Sequence, residues 1–213
     1  MTKLTDLGFL KNSIFEIIIS TYNEDGTPDA APMGVIMHDP QTISLNLFNS
    51  SQTCRNLKAN KCAVINLTSD IEVFYKTAFK EVNPAGKLPL EWFERAEVVN
   101  APKLWSVDAT VAVSVVDVEP VGVEKTKFSC NIERINAIQV YPQVYCRALS
   151  ATIEAILHAT RIIVFAKDEK KKQQVSQLLG LIGNCDDVVK RVAPNSVYSA
   201  VMADLIKRIE VKT

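Results

Sequence analysis

From about Ser13 to Tyr145, apolar residues alternate with polar ones or gather in short β-branched blocks. The blocks IFEIIISTY (14–22), TISLNLF (42–48), CAVINLT (62–68), ATVAVSVVDVEP (109–120) and VGVEKTKFS (121–129) have the length and composition of strands, and Gly, Pro, Asn or Asp separates most of them. A parallel sheet needs a helix between most strands. Here one short helix, over about Gln52–Ala59, is expected to interrupt, so the pattern predicts an antiparallel barrel or sandwich. From about Gln143 the period becomes helical. In CRALSATIEAILHATRI, Leu149, Ile153, Ile156, Leu157 and Thr160 share one side of a helix and are expected to face a core. A second helix is expected from a cap at Asp168 to about Ile182, where Gly183-Asn184 supplies a stop. A third starts near Ser196, with Val197, Val201, Leu205 and Ile209 at helical spacing. The expected fold class is α+β: a β domain over residues 1–143, then a helical domain over residues 144–213, with no low-complexity linker between them.

Composition narrows the partners. The 213 residues are 47% hydrophobic, enough to bury a core without disulfides or metal. The formal net charge is zero, from 24 basic and 24 acidic residues, so no global field draws the chain to nucleic acid or an acidic membrane. MTKLTDLGFLKNS lacks the apolar centre of a signal peptide, and no run approaches the roughly 20 apolar residues that span a bilayer. A soluble cytoplasmic protein is expected, with no nucleic-acid and no membrane partner. Cys54, Cys62, Cys130, Cys146 and Cys185 form no C-x-x-C pair, and His38 and His158 lie far from them in sequence, so no metal site is expected. Scattered cysteines of this kind read as small buried hydrophobes. G-x-S-x-G, Walker A and G-x-G-x-x-G motifs are absent, which leaves hydrolase, P-loop and Rossmann readings without support.

Two segments carry chemistry. In TYNEDGTPDAAPMGVIM, an Asp25-Gly26 turn leads into a strand containing Pro32, Met33 and Gly34. Such residues mark an edge, a bulge, or a place where something approaches the backbone closely. In NSSQTCRNLKANKCAVINLTSD, Ser50 or Ser51 caps a short helix that carries Thr53, Arg55 and Asn56. Unpaired N–H groups, a hydroxyl and a guanidinium at one helix start suit a phosphate monoester. The same residues also make an ordinary capped helix beside a solvated arginine. Further along, Arg147, Ser150, Glu154, His158 and Arg161 form a polar stripe, either a solvated face or one wall of a ligand pocket. Tyr75, Trp92, Phe93 and Trp105 read as core aromatics, although one of them could cover a ligand from a partner subunit.

Taken together, the hairpin ending A-P-M-G-V, the S-x-T-x-x-N turn into a helix and the strand A-V-I-N resemble the FMN-binding split β-barrel superfamily of flavin reductases and pyridoxamine phosphate oxidases. The resemblance is closest to a mostly archaeal family of unknown function with a C-terminal helical domain. Its D-T-x-x-N signature is matched by Thr53 and Asn56, with Gln52 in place of the acid. Its Asn-Arg-Ala helix start is matched by Arg147 and Ala148, with Cys146 in place of the Asn. The resemblance implies FMN as cofactor, or a deazaflavin that meets the same requirements. The ring would lie along Met33, Gly34 and Val35, and the phosphate would be held by Asn49, Ser50, Ser51, Thr53, Arg55 and Asn56, with Arg147 adding charge. It further implies a homodimer with flavin at the interface, and either an oxidoreductase fed by NAD(P)H or another donor, or a non-catalytic flavin carrier.

Overall fold

The computed structural model describes residues 2–138 and 146–210; the domain boundary drawn at residue 143 lies outside them. Two compact units result. One comprises Met1–Thr68 with Lys80–Val140, the other Ser69–Phe79 with Tyr141–Thr213. The first is a closed antiparallel barrel and the second is helical, so the chain is α+β.

The barrel strands are β1 (Ile14–Tyr22), β2 (Pro28–Asp39), β3 (Thr42–Phe48) and β4 (Cys62–Leu67). A two-stranded ribbon follows, β5 (Phe93–Arg95) with β6 (Pro102–Leu104), and then the long pair β7 (Ala109–Val121) and β8 (Lys125–Ala137). The barrel order is β1-β2-β3-β8-β7-β4, closed by β4 pairing with β1. The β1–β2 hairpin turns where expected: Gly26 has φ 79°, its N–H donates to the Asn23 carbonyl at 3.0 Å, and the Thr27 N–H donates to the Asp25 carboxylate at 3.0 Å. The block over 121–129 is not one strand. A turn with Gly122 at φ 63° separates β7 from β8.

Alternation sorts the walls. Ile17, Ile19, Val35, Met37, Ile43, Leu45 and Leu47 point inward with Val111, Val113 and Phe128. One set of plugging residues comes from the N-terminal segment, where Leu4 and Phe9 join this core. Another comes from α1 (Gln52–Asn60), whose Cys54 and Leu57 are fully buried in it. Outside, Ser20 and Asn66 are fully buried. The Ser20 hydroxyl donates to the Pro102 carbonyl at 2.6 Å, and the Asn66 side-chain oxygen accepts from the Leu104 N–H at 2.9 Å. These bonds fasten the β5–β6 ribbon over part of the outer wall. Trp105 follows that ribbon and is 60% exposed, so it is not a core aromatic.

The helical unit contains α2 (Ile71–Ala78), α3 (Arg147–Phe165), α4 (Lys172–Val192) and α5 (Val197–Glu210). α2 is a second helix within the stretch expected to hold only one. Asp70 caps it, and Ile71, Phe74 and Tyr75 are its buried i, i+3, i+4 face. Tyr75 donates its hydroxyl proton to Asp204, and Arg208 Nε donates to both, at 2.9 and 2.7 Å. Burial and the Asp204 carboxylate push the Tyr75 hydroxyl far above its usual range, so it stays protonated as the stitch between α2 and α5.

Two helical expectations need correction. The buried face of α3 is Ala148, Thr152, Ala155, Ile156, Ala159 and Ile162, whereas Leu149, Ile153, Leu157 and Thr160 are only half-buried. Small residues make up much of this buried face, which packs within the helical unit. By length and composition α3 is also apolar enough to cross a membrane; in this fold it packs on α4 and α5. Gly183-Asn184 does not stop α4, which runs on to Val192. A mid-helix glycine costs about 1 kcal/mol, and the burial of Ile182 on one side and Val189 on the other outweighs it.

Candidate functional site

β1 pairs with β2 along its full length, from Ile14–Ile36 to Tyr22–Pro28. β2 pairs with β3 only from Val35 to Asp39. Beyond Val35–Leu45 the two strands part, and Asn46, Leu47 and Phe48 continue in register with β8 alone. The stretch Pro28–Gly34 is thus a β2 edge within the barrel, and Pro32 sits where a missing N–H is tolerated. β3 then ends in Asn49–Ser51 and enters α1, so the helix start stands at the end of the strand that has left β2.

The predicted residues divide into four groups. Asn49, Ser50, Ser51 and Arg55 come together at this turn. The Asn49 amide donates to the Val123 carbonyl at 3.1 Å and its oxygen accepts from Thr126 at 2.6 Å, which ties the turn to the β7–β8 tip. The Ser51 hydroxyl accepts from the Cys54 N–H at 3.2 Å and donates to the Phe48 carbonyl at 2.8 Å, so its role is that of an N-cap. Arg55 is exposed and folds back over the helix start, donating to the Ser50 carbonyl at 2.9 Å and the Gln52 side-chain oxygen at 2.6 Å. Two of its five donors are used, and the N–H groups of Gln52 and Thr53 precede the first helical bond. That is a positive, donor-rich corner.

Thr53 and Asn56 turn inward instead, 2% and 3% exposed. The Asn56 amide donates to the Thr21 hydroxyl at 3.0 Å and the Asn23 side chain at 2.9 Å, while its oxygen accepts from Gln52 at 2.8 Å. Asn56 therefore pins α1 to the β1–β2 hairpin. Asn56→Ala is expected to lower stability by about 1–3 kcal/mol, read as an urea midpoint shift at constant slope. An unchanged midpoint would remove this clamp from the account.

On β2, Met33 and Val35 also point inward; Val35 is fully buried and Met33 packs against the same core. Gly34 faces out with Pro32 and Ile36, all three half-buried. A Cβ at Gly34 would meet only the Ile14 Cγ2 at 3.0 Å and the Glu16 carboxylate at 3.6 and 4.0 Å. What Met33 and Val35 offer to the outside is backbone. Arg147 is carried by the helical unit and is exposed at the first position of α3. In the stripe that follows it, Ser150, Glu154 and Arg161 are also exposed, while His158 is mostly buried, and burial pushes its imidazole below the ordinary range despite Glu154.

Glu16 was not singled out from the sequence. The available signal was the hairpin turn, which fixes the register that sets Glu16 opposite Gly34.

The model of the family described as "Protein of unknown function (DUF447) N-terminal domain" matches residues 15–139, more than half of the chain. The chain belongs to this family. Among solved structures, the DUF447 chain is similar to the FMN-bound protein MM1853 from Methanosarcina mazei, at 23% identity and a TM-score of 0.76, over 97% of this chain and 99% of that one. It is also similar to nitrilotriacetate monooxygenase component B from Bacillus cereus, at 16% identity and a TM-score of 0.51, over 70% of this chain and 84% of that one. The component B homologue from Mycobacterium thermoresistibile gives 13% identity and a TM-score of 0.50, over 62% and 73%. These likenesses show a shared fold. No protein of curated function matches the sequence.

Proposed function

We propose that this DUF447 protein binds FMN and acts as a flavin-dependent oxidoreductase of the flavin-reductase kind, working as a homodimer. The observation that carries the reading is the parting of β3 from β2 after Val35, which leaves the Pro28–Gly34 edge open beside a donor-rich helix start. The shared fold with an FMN-bound family member supports it. The residues fit the cofactor: Gly34 leaves bare backbone beside Ile14 and Glu16, where an added Cβ would stand 3.0 Å from the Ile14 Cγ2, and Arg55 supplies charge for a phosphate monoester.

Gly34 and the Met33 and Val35 backbone would border the ring, while Ser50, Arg55 and the Gln52 and Thr53 N–H groups would hold the phosphate. Asn49, Ser51 and Asn56 fix that corner rather than offering themselves to it. Bound flavin supplies hydride and single-electron transfer; the chain supplies orientation, charge and exclusion of water. Leu10 and Ile14, 65% and 66% exposed, lie near one end of the β1 wall and suit burial by a second copy.

Reduction of the FMN-loaded protein by NADH or NADPH, with repeated turnover on an added acceptor, is the expected result. Tight binding without donor-dependent bleaching would reduce the function to flavin carriage. A monomer by light scattering at micromolar concentration would remove the dimer.

A further inference from the structure

The outward strip of the β1–β2 hairpin is apolar around Gly34 except at one position. Glu16 faces Gly34 directly across the ladder, with Ile14 and Ile18 on its own strand and Pro32 and Ile36 across from it. Its carboxylate oxygens stand 3.6 and 4.0 Å from the point where a Gly34 side chain would begin, so the charge lies against the bare backbone. Bare backbone at a glycine, flanked by aliphatic residues with one carboxylate beside it, suits a flat heteroaromatic ring bearing an N–H donor. A carboxylate there would accept such an N–H, and its negative charge would oppose the uptake of electrons by the ring.

We propose that Glu16 contacts the flavin and sets its reduction potential low, an inference that rests on the flavin reading above. Charge beside the ring is one of the few levers a protein has over flavin electronics, because the redox chemistry itself belongs to the cofactor. Near a protein surface the interaction is screened but not abolished at contact distance. A low potential suits a protein that hands electrons on rather than one that stores them.

The test uses the full chain with Glu16→Gln and, as the charge-retaining control, Glu16→Asp. FMN affinity is measured first by fluorescence quenching, and the midpoint potential of each loaded protein is then measured against reference dyes. Glu16 is exposed, so both variants are expected to fold, and both keep an oxygen that can accept a ring N–H, so FMN added in excess is expected to load each of them. The Gln variant should favour reduced flavin about tenfold over wild type, a shift of about 30 mV to more positive potential for a two-electron couple. The Asp variant should stay near wild type. Normal FMN binding with the same potential in wild type and the Gln variant would overturn the role of Glu16 and leave the flavin reading standing. Failure of all three proteins to bind FMN would remove both.

Discussion

Gly34→Val is expected to abolish FMN binding, more than a hundredfold in affinity, while the barrel still folds. A valine here covers the bare backbone on the outer wall, and its branched side chain stands where the ring must approach the backbone. The crowded neighbour is the Ile14 Cγ2 at 3.0 Å, a methyl that branches from Cβ and moves aside by a χ1 rotation, for which the 66% exposure of Ile14 leaves room. The barrel core lies on the opposite face of β2, where Val35 is fully buried. Valine also suits a strand better than glycine. Flavin fluorescence titration read beside the thermal midpoint separates the two effects. Unchanged affinity would place the ring elsewhere, whereas loss of the folded barrel would show that Gly34 serves packing.

The second large effect is at the opposite end of the ligand. Arg55→Ala should weaken FMN binding roughly ten- to hundredfold, since a charge-assisted hydrogen bond is worth about 1.5–3 kcal/mol. Riboflavin, which lacks the phosphate, should bind wild type and variant alike. Exposure of Arg55 and its bonds to Ser50 and Gln52 within one turn of chain make a large loss of stability unexpected. The comparison between the two ligands is the decisive part. If both lose affinity equally, Arg55 shapes the turn rather than binding phosphate; if neither does, the phosphate lies elsewhere. Higher salt should narrow the difference between the ligands, because the guanidinium is exposed.

Much of the barrel was legible because its information is local. β1 and β3 match the blocks 14–22 and 42–48, and α1 begins one residue after its Ser51 cap. The Asp25-Gly26 turn announced the first hairpin. What escaped were elements too short to show a period: β5 and β6 have three residues each and are held by Ser20 and Asn66, partners distant in sequence. α2 had a readable signal in its Asp70 cap and its spacing of Ile71, Phe74 and Tyr75, but its eight residues lie among strand-like ones. Gly183 illustrates the opposite failure, a local stop signal overridden by burial on both sides.

For the candidate site, segments can be chosen along the chain, but the directions of their side chains cannot. Thr53 and Asn56 share a linear motif, but only the fold shows that both are buried and that the Asn56 amide bonds to Thr21 and Asn23. Met33 is adjacent to Gly34 in sequence but on the opposite face of β2, as the twofold period of a strand requires. Glu16 is distant in sequence and adjacent in space. The parting of β2 from β3 is a property of register and curvature that no single segment encodes.

The absorbance spectrum of the purified protein, followed by chromatography of the chromophore released on denaturation, shows whether the barrel holds FMN. The expected result is flavin absorbance from FMN stoichiometric with the chain, or saturable uptake of added FMN by a protein purified without it. A colourless protein that takes up neither FMN nor a deazaflavin would contradict it.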